Sequence, residues 1–263
     1  NTQIISVINQ KGGVGKTTTV INLATALSFY KKKILVIDLD PQGNATMGSG
    51  VSKDELVESI YDVLVYQQSI RDIARKNHDT GFFLLGSNSD LTAAEIELLS
   101  MENRESRLKN ALTGLESDYD YVFIDCPPSL NLLTLNALVA AQGVIIPMQC
   151  EYYALEGLTA LMGTVTRVRE QLNPGLKIEG IVRTMYDSRN SLTKDVSAQL
   201  SEYFGDRLYR TVVPRNVRLA EAPSYGLPVY YYDSRSSGSK AYLALAGEVL
   251  RRMEPTLVSR GDG

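Results

Sequence analysis

Short apolar runs alternate along this chain with longer segments whose apolar residues recur every third or fourth position. The short runs are IISVI (4–8), KILVID (33–38), FFLL (82–85), YVFID (121–125), GVIIPM (143–148), IEGIV (178–182), LYRTVV (208–213) and PVYYY (228–232). Several are apolar throughout, as strands buried on both faces are. The longer segments span 17–30, 90–116, 130–141, 154–172, 191–204 and 239–253, and in the last Leu243, Ala246 and Leu250 mark a helical stripe. This alternation predicts an α/β fold: a doubly wound, mostly parallel sheet with helices on both faces. No linker, repeat or low-complexity stretch divides the 263 residues. One domain over 1–263 is expected, with 255–263 as a frayed tail.

Composition narrows the class. Hydrophobic residues make up 44% and charged residues 22%, as in globular proteins in water. No run approaches the roughly 18 apolar residues of a membrane span. The chain enters a strand without a basic, apolar and small-residue leader, so a cytoplasmic protein is expected. Cys126 and Cys150 lie beside apolar runs and read as buried reduced thiols. Two cysteines and one histidine are too few for the common Cys/His zinc sites, and His78 sits in a polar stretch that reads as surface. The net charge of -3 does not suggest nucleic acid. Residues 183–218, however, carry seven cationic side chains against four carboxylates in an otherwise acidic chain.

Candidate chemistry begins at NQKGGVGKTTT (9–19), which lies between the first strand and the first helix. That is the context of a phosphate loop. Gly12, Gly13 and Gly15, with Val14 between them, let backbone N–H groups converge on phosphate oxygens. The helix that starts near Lys16 adds its positive dipole end, with Thr18 in its first turn. Lys16 is placed to reach the β- and γ-phosphates, and the Thr17 hydroxyl to hold Mg²⁺. Asp125 ends an apolar strand, where it can hold Mg²⁺ directly or through water. Asp38 and Asp40 close the second strand; its period of two directs both one way and Leu39 the other. Asp40 is the candidate for orienting the attacking water, and Asp38 for a structural or Mg²⁺-linked role. The loop also carries a second lysine, Lys11, which an ordinary phosphate loop does not require.

Five ordered motifs, KGGVGKTTT, DLDPQGNAT, IDCPPSL, QCEYYALEGL and VPRNVRLAEAPSYG, together resemble the ParA/Soj family of chromosome- and plasmid-partitioning ATPases. That family belongs to the deviant Walker A class of P-loop NTPases, and the resemblance runs from about residue 3 to residue 252. It implies that Lys11 crosses to the ATP of a second subunit, so that two protomers enclose two ATP molecules. A cation from the partner would stabilise the charge that builds on the triphosphate. It also implies a catalytic role for Asp40, a Walker B role for Asp125, and adenine contacts near Thr184, Pro214 and Asn216. Turnover is expected to be slow and to be stimulated by a ParB-type partner.

The class has three outputs. Iron-protein redox chemistry needs two loop cysteines per subunit, and Cys126 and Cys150 do not fit those loops. Other members of the family position protein cargo, an alternative that the DNA-matching arginines weigh against. Membrane attachment, in the manner of MinD, needs a basic amphipathic tail. EVLRRMEPTLVSRGDG is broken by Pro255 and lacks Phe and Trp, so no membrane role is expected. DNA binding rests by resemblance on Arg189 and Arg218, with Arg215, Arg235 and Lys240 extending the patch. Arginine on phosphate is sequence-independent, so nonspecific double-stranded DNA and a nucleoid-associated location are expected. The tyrosines of VYYYD (229–233) read as a buried aromatic strand, the alternative being a base-stacking surface.

Overall fold

The computed structural model describes residues 1–13 and 15–255; Val14, the segment 256–263 and most of the expected tail lie outside the described residues. Among the described residues eight strands form one sheet: β1 (Gln3–Val7), β2 (Ile34–Asp38), β3 (Arg75–Lys76), β4 (Phe83–Leu85), β5 (Tyr121–Asp125), β6 (Gly143–Gln149), β7 (Lys177–Tyr186) and β8 (Leu208–Pro214). Their order is β3-β4-β2-β5-β1-β6-β7-β8. Every neighbouring pair is parallel except β3–β4. The antiparallel edge strand β3 is absent from the elements that sequence predicts. Two exposed cationic residues give no apolar signal, and a short charged edge strand also resists pairing with other chains.

Twelve α-helices accompany the sheet among the described residues: α1 (Lys16–Ser28), α2 (Asn44–Gly48), α3 (Ile60–Tyr66), α4 (Ile70–Ile73), α5 (Leu91–Leu98), α6 (Arg107–Leu112), α7 (Leu132–Ala140), α8 (Ala154–Gln171), α9 (Ser191–Phe204), α10 (Val217–Glu221), α11 (Val229–Tyr232) and α12 (Ser237–Met253). The sheet has a core on each face, as the continuous apolar runs require. Ile5, Val7, Ile34, Val36, Tyr121 and Phe123 pack against α1 and α12 on one face. Leu35, Ile37, Val122, Ile124, Val144 and Ile146 pack against α3 and α5–α9 on the other. Each fully buried large side chain contributes about 1.5–3 kcal/mol. The doubly wound, mostly parallel architecture expected from sequence is therefore present.

Two expectations need correction. Segment 90–116 is not one helix: α5 and α6 are separated by a turn in which Asn103 adopts φ 56°. PVYYY is not a strand. Pro228 caps a four-residue helix, and the Val229 N–H donates to Asn22 Oδ1 on α1 at 2.8 Å. Tyr230 and Tyr231 are exposed and pack on Phe29. β-propensity was outweighed by the proline and by a side chain offered from α1.

Strand register sets the site. Asp125 pairs with Val7 on one side and with Asp38 on the other, and Gln149 pairs with Thr184. These residues therefore line one edge, the carboxyl ends of the strands, where parallel sheets hold ligands. α2 is locked behind this edge by a backbone contact between Gly50 (φ 83°) and Gly226 (φ 65°). A Cβ on Gly226 would lie 2.7 Å from Gly50 Cα. Gly226→Ala should cost about 1–3 kcal/mol, read as a lower denaturant midpoint at unchanged slope. An unchanged midpoint would mean that the two segments do not bear on one another.

Candidate nucleotide site

The loop after β1 is pinned at its start. The Asn9 side chain donates to Pro147 O at 2.7 Å and accepts from the Lys11 N–H at 2.9 Å. Gly13 (φ 73°) and Gly15 (φ 86°) occupy the left-handed region that side chains disfavour. Gly15 caps α1 without a side-chain hydrogen bond, so no cap side chain serves the first-turn N–H groups. That is an anion-binding arrangement.

The two lysines of the loop have different environments. Lys16 is only 7% exposed, and its Nζ donates to Lys11 O at 3.3 Å. Burial lowers its pKa, while Asp125 and then Asp40 oppose the shift. Lys11 stands at the rim, its side chain 57% exposed and ion-paired with Glu151 of the same chain. Glu151 lies just before α8, whose N-terminal neighbour Tyr153 is held at φ 65°. Nothing in residue spacing could have paired Lys11 with a carboxylate 140 positions away.

The carboxylates are divided in the same way. Asp125 is buried, and Thr17 Oγ1 donates to its Oδ2 at 2.7 Å. Its Oδ1 is buried with no hydrogen-bond partner among the described residues. Burial, then the neighbouring Asp38 charge, raise the Asp125 pKa well above the usual carboxylate range. A divalent cation beside Thr17 and Asp125 would meet an oxygen that lacks a partner and relieve the mutual repulsion, so these residues fit Mg²⁺.

Asp38 is fully buried and already employed. Its Oδ2 accepts from the Thr46 N–H (2.9 Å) and hydroxyl (2.7 Å), and its Oδ1 from the Asp40 N–H (3.1 Å). Burial pushes its pKa up to about 6 despite these bonds. Of the two roles expected for Asp38, these contacts favour the structural one: it fixes α2 and the turn that carries Asp40. The strand ends at Asp38, Leu39 enters the core, and Asp40 departs on the turn, half-buried. Asp40 Oδ1 accepts from the Gln42 N–H at 2.9 Å, and Ser87 Oγ donates to its carbonyl. Sequence reasoning missed Thr46 and Ser87. Thr46 lies within the quoted DLDPQGNAT motif, but Ser87 gives no comparable signal.

A pocket of about 170 Å³ adjoins the loop, lined by Gly15, Thr18, Thr184, Pro214, Arg215 and Asn216. The three residues expected near adenine are thus brought together. The Asn216 side chain is also engaged in the fold: it accepts from the Leu219 N–H as the cap of α10 and donates to Ser237 Oγ. Met185, beside Thr184, is held at φ 50°, a strained value of the kind found at ligand sites.

Of the arginines expected to meet DNA, Arg215 lines this pocket. Arg189 is almost fully exposed, and its Nε donates to Asp187 at 3.2 Å. Arg215 acts on the same Asp187 electrostatically. Arg218 bridges Glu221 and Asp233. Both cysteines are buried, as expected, and His78 is exposed. Among the described residues no helix is long and apolar enough to cross a membrane.

Comparison with known proteins places the chain. Residues 2–178 match a family model described as an AAA domain. The sporulation initiation inhibitor protein Soj of Bacillus subtilis is 50% identical over 247 residues, covering 94% of this chain and 98% of that protein. The chromosome partitioning protein ParA of Caulobacter vibrioides (strain NA1000 / CB15N) is 50% identical over 252 residues, covering 95% and 94%. Among solved structures, cobyrinic acid a,c-diamide synthase from Mycobacterium smegmatis, with bound ATP analog and magnesium, superposes with a TM-score of 0.85 at 37% identity. That match covers 97% of this chain and 96% of that one.

The buried carboxylate pair makes a pH prediction. Folded Asp38 holds its proton up to about pH 6, and folded Asp125 also holds its proton above the usual range. The unfolded chain releases both near the ordinary Asp pKa of about 3.9. Between about pH 4 and 6 these two groups therefore bind more protons in the native state than in the unfolded one, and their contribution to stability falls as pH rises through that window. Without nucleotide or Mg²⁺, Asp125→Asn should flatten this dependence. It should also stabilise the chain by about 1–2 kcal/mol at pH 7.5, read by denaturant titration. A profile that rises with pH and is indifferent to Asp125→Asn would refute the assignment.

Proposed function

The chain belongs to the AAA-domain family and, within it, to the ParA/Soj partitioning ATPases, and we propose that it is an ATP-gated, DNA-binding dimer. One observation carries this reading: the loop holds one lysine inside and one outside. Lys16, buried against the loop, serves the nucleotide of its own subunit; Lys11, exposed at the rim, is free of that task. The 37% identity to a named diamide synthase does not displace this reading, because the partitioning proteins are nearer at 50%.

Each residue then has a part. The N–H groups of Gly12 to Thr18 and the Lys16 ammonium bind the triphosphate of ATP. Thr17 and Asp125 hold Mg²⁺, which when bound neutralises phosphate charge. Thr184, Pro214 and Asn216 bound the adenine. Asp40, presented by the turn that Asp38 fixes, accepts a hydrogen bond from the attacking water and orients it. Lys11 exchanges Glu151 for the phosphates of the second subunit, so that dimerisation requires ATP. Paired subunits double the arginines offered by Arg189, Arg215 and Arg218, and nonspecific duplex binding follows by avidity. A ParB-type partner accelerates hydrolysis, and the dimer acts in the cytoplasm on the nucleoid.

Asp40→Ala should bind ATP and dimerise without turnover. With ATP it should retain two unrelated duplexes equally and in a salt-sensitive manner; with ADP it should retain neither. Lys11→Ala should remain monomeric with ATP by light scattering. An ATP dimer of Asp40→Ala that retains no DNA would leave the ATPase assignment standing and remove DNA as its cargo.

A further inference from the structure

Arg218 already rests on carboxylates of its own chain. Its NH1 donates to Glu221 Oε2 at 3.0 Å, and its Nε lies 3.3 Å from Asp233 Oδ2. The guanidinium is half exposed and each carboxylate about one-third exposed, so the cluster faces solvent. Two carboxylates on one arginine leave a local charge of minus one. The arrangement is built rather than incidental. The Tyr232 hydroxyl donates to Glu221, and the Tyr232 ring stacks on Tyr225 at 5.1 Å between centroids. Asp233 is itself fixed: its N–H donates to Val229 O at 2.7 Å, and its Oδ1 accepts from the Arg235 N–H at 3.2 Å. The tyrosine run that sequence alone assigned to a strand thus places one hydroxyl on the partner of Arg218.

We infer that Glu221, Asp233 and Tyr232 form a gate that lowers the affinity of the single subunit for DNA by holding two like charges against Arg218 and taking up part of its guanidinium. The inference rests on Arg218 being a DNA contact. A phosphate either displaces one carboxylate or settles on the remaining N–H groups beside both, and in each case a like charge stays nearby. A lone subunit therefore binds DNA weakly, and two gated faces joined by ATP bind together through avidity. Asp187 on Arg189 repeats the arrangement at the second arginine. The gate is electrostatic, so it acts within about a Debye length and weakens with salt.

The test is fluorescence anisotropy of a labelled duplex of about 30 base pairs with nucleotide-free protein across a salt series. Exposed ion pairs are individually weak, so both carboxylates are neutralised with shape kept, as Glu221→Gln/Asp233→Asn. The double variant should bind about 3- to 10-fold tighter than the parent at low salt, with a steeper salt dependence. Adding Arg218→Ala to it should abolish the gain. Tyr232→Phe, which keeps both charges but frees Glu221, should give a smaller gain and serves if the double variant fails to fold, as judged by circular dichroism. If Arg218→Ala weakens the parent while neither gate variant tightens it, Arg218 is a DNA contact and the gate is refuted. If Arg218→Ala leaves the parent unchanged, the DNA role of Arg218 fails and the gate fails with it.

Discussion

The structure turns on two carboxylates buried away from solvent. Asp38 and Asp125 are register partners on adjacent strands, both essentially inaccessible; burial raises the pKa of each, and the Asp38 charge raises that of Asp125 further. Burying one charge is costly unless it is paired, and burying two like charges side by side more so. The chain answers each differently. Asp38 is saturated by Thr46 and the Asp40 N–H, which makes it the anchor of the turn and of α2. Asp125 has only Thr17 among the described residues, and one of its oxygens is left over. Lys16, the cation beside it, is itself disfavoured by burial. The site is therefore electrostatically incomplete by construction, and the surrounding sheet, buried on both faces, holds it in that state. Such strain belongs at a ligand site, where the ligand relieves what the fold alone cannot.

The parts of this design visible in sequence are those that repeat or cluster. Continuous apolar runs marked seven of the strands, because a parallel sheet buried on both faces has no polar alternation to obscure it. Glycines beside lysine and threonine marked the phosphate loop, because backbone convergence needs residues that tolerate positive φ. Three kinds of feature stayed hidden. The short helices between residues 39 and 81 complete too few turns to show a period. The segment from Val229 to Tyr232 has strand-like composition but takes its conformation from Pro228 and Asn22. The pairs Lys11–Glu151 and Arg218–Asp233 join residues whose proximity is a product of the finished fold.

These pairs share a logic. Of the four cations proposed to act on another molecule, Lys11, Arg189 and Arg218 each rest on a carboxylate of their own chain, and Arg215 acts on Asp187 only through its charge. Lys16, assigned to the subunit's own nucleotide, has no ion-paired carboxylate among the described residues and donates instead to a carbonyl. An exposed ion pair stabilises the fold little, so structural need is a poor reason for this distribution. Exchange is a better one. A cation that must leave the surface of its own chain for phosphate does so most selectively if a carboxylate already holds its place, because weak or solitary anions then fail to compete.

The same reasoning reconciles an acidic protein with the polyanionic target proposed for it. With a net charge of -3, the chain as a whole does not attract DNA; only the local excess around residues 183–218 can. Own-chain carboxylates reduce even that excess, so one face yields few net phosphate contacts. Because the affinity of a linked pair grows roughly as the product of its halves, a small handicap per subunit becomes a large difference between monomer and dimer. In the proposed dimer, weak faces are thus what would let the nucleotide decide whether DNA is held: were each subunit a strong binder, ATP-dependent pairing would change little. On this reading the gate around Arg218 and the unfinished charge at Asp125 serve one end, since each leaves the single subunit short of what its ligand or its partner supplies.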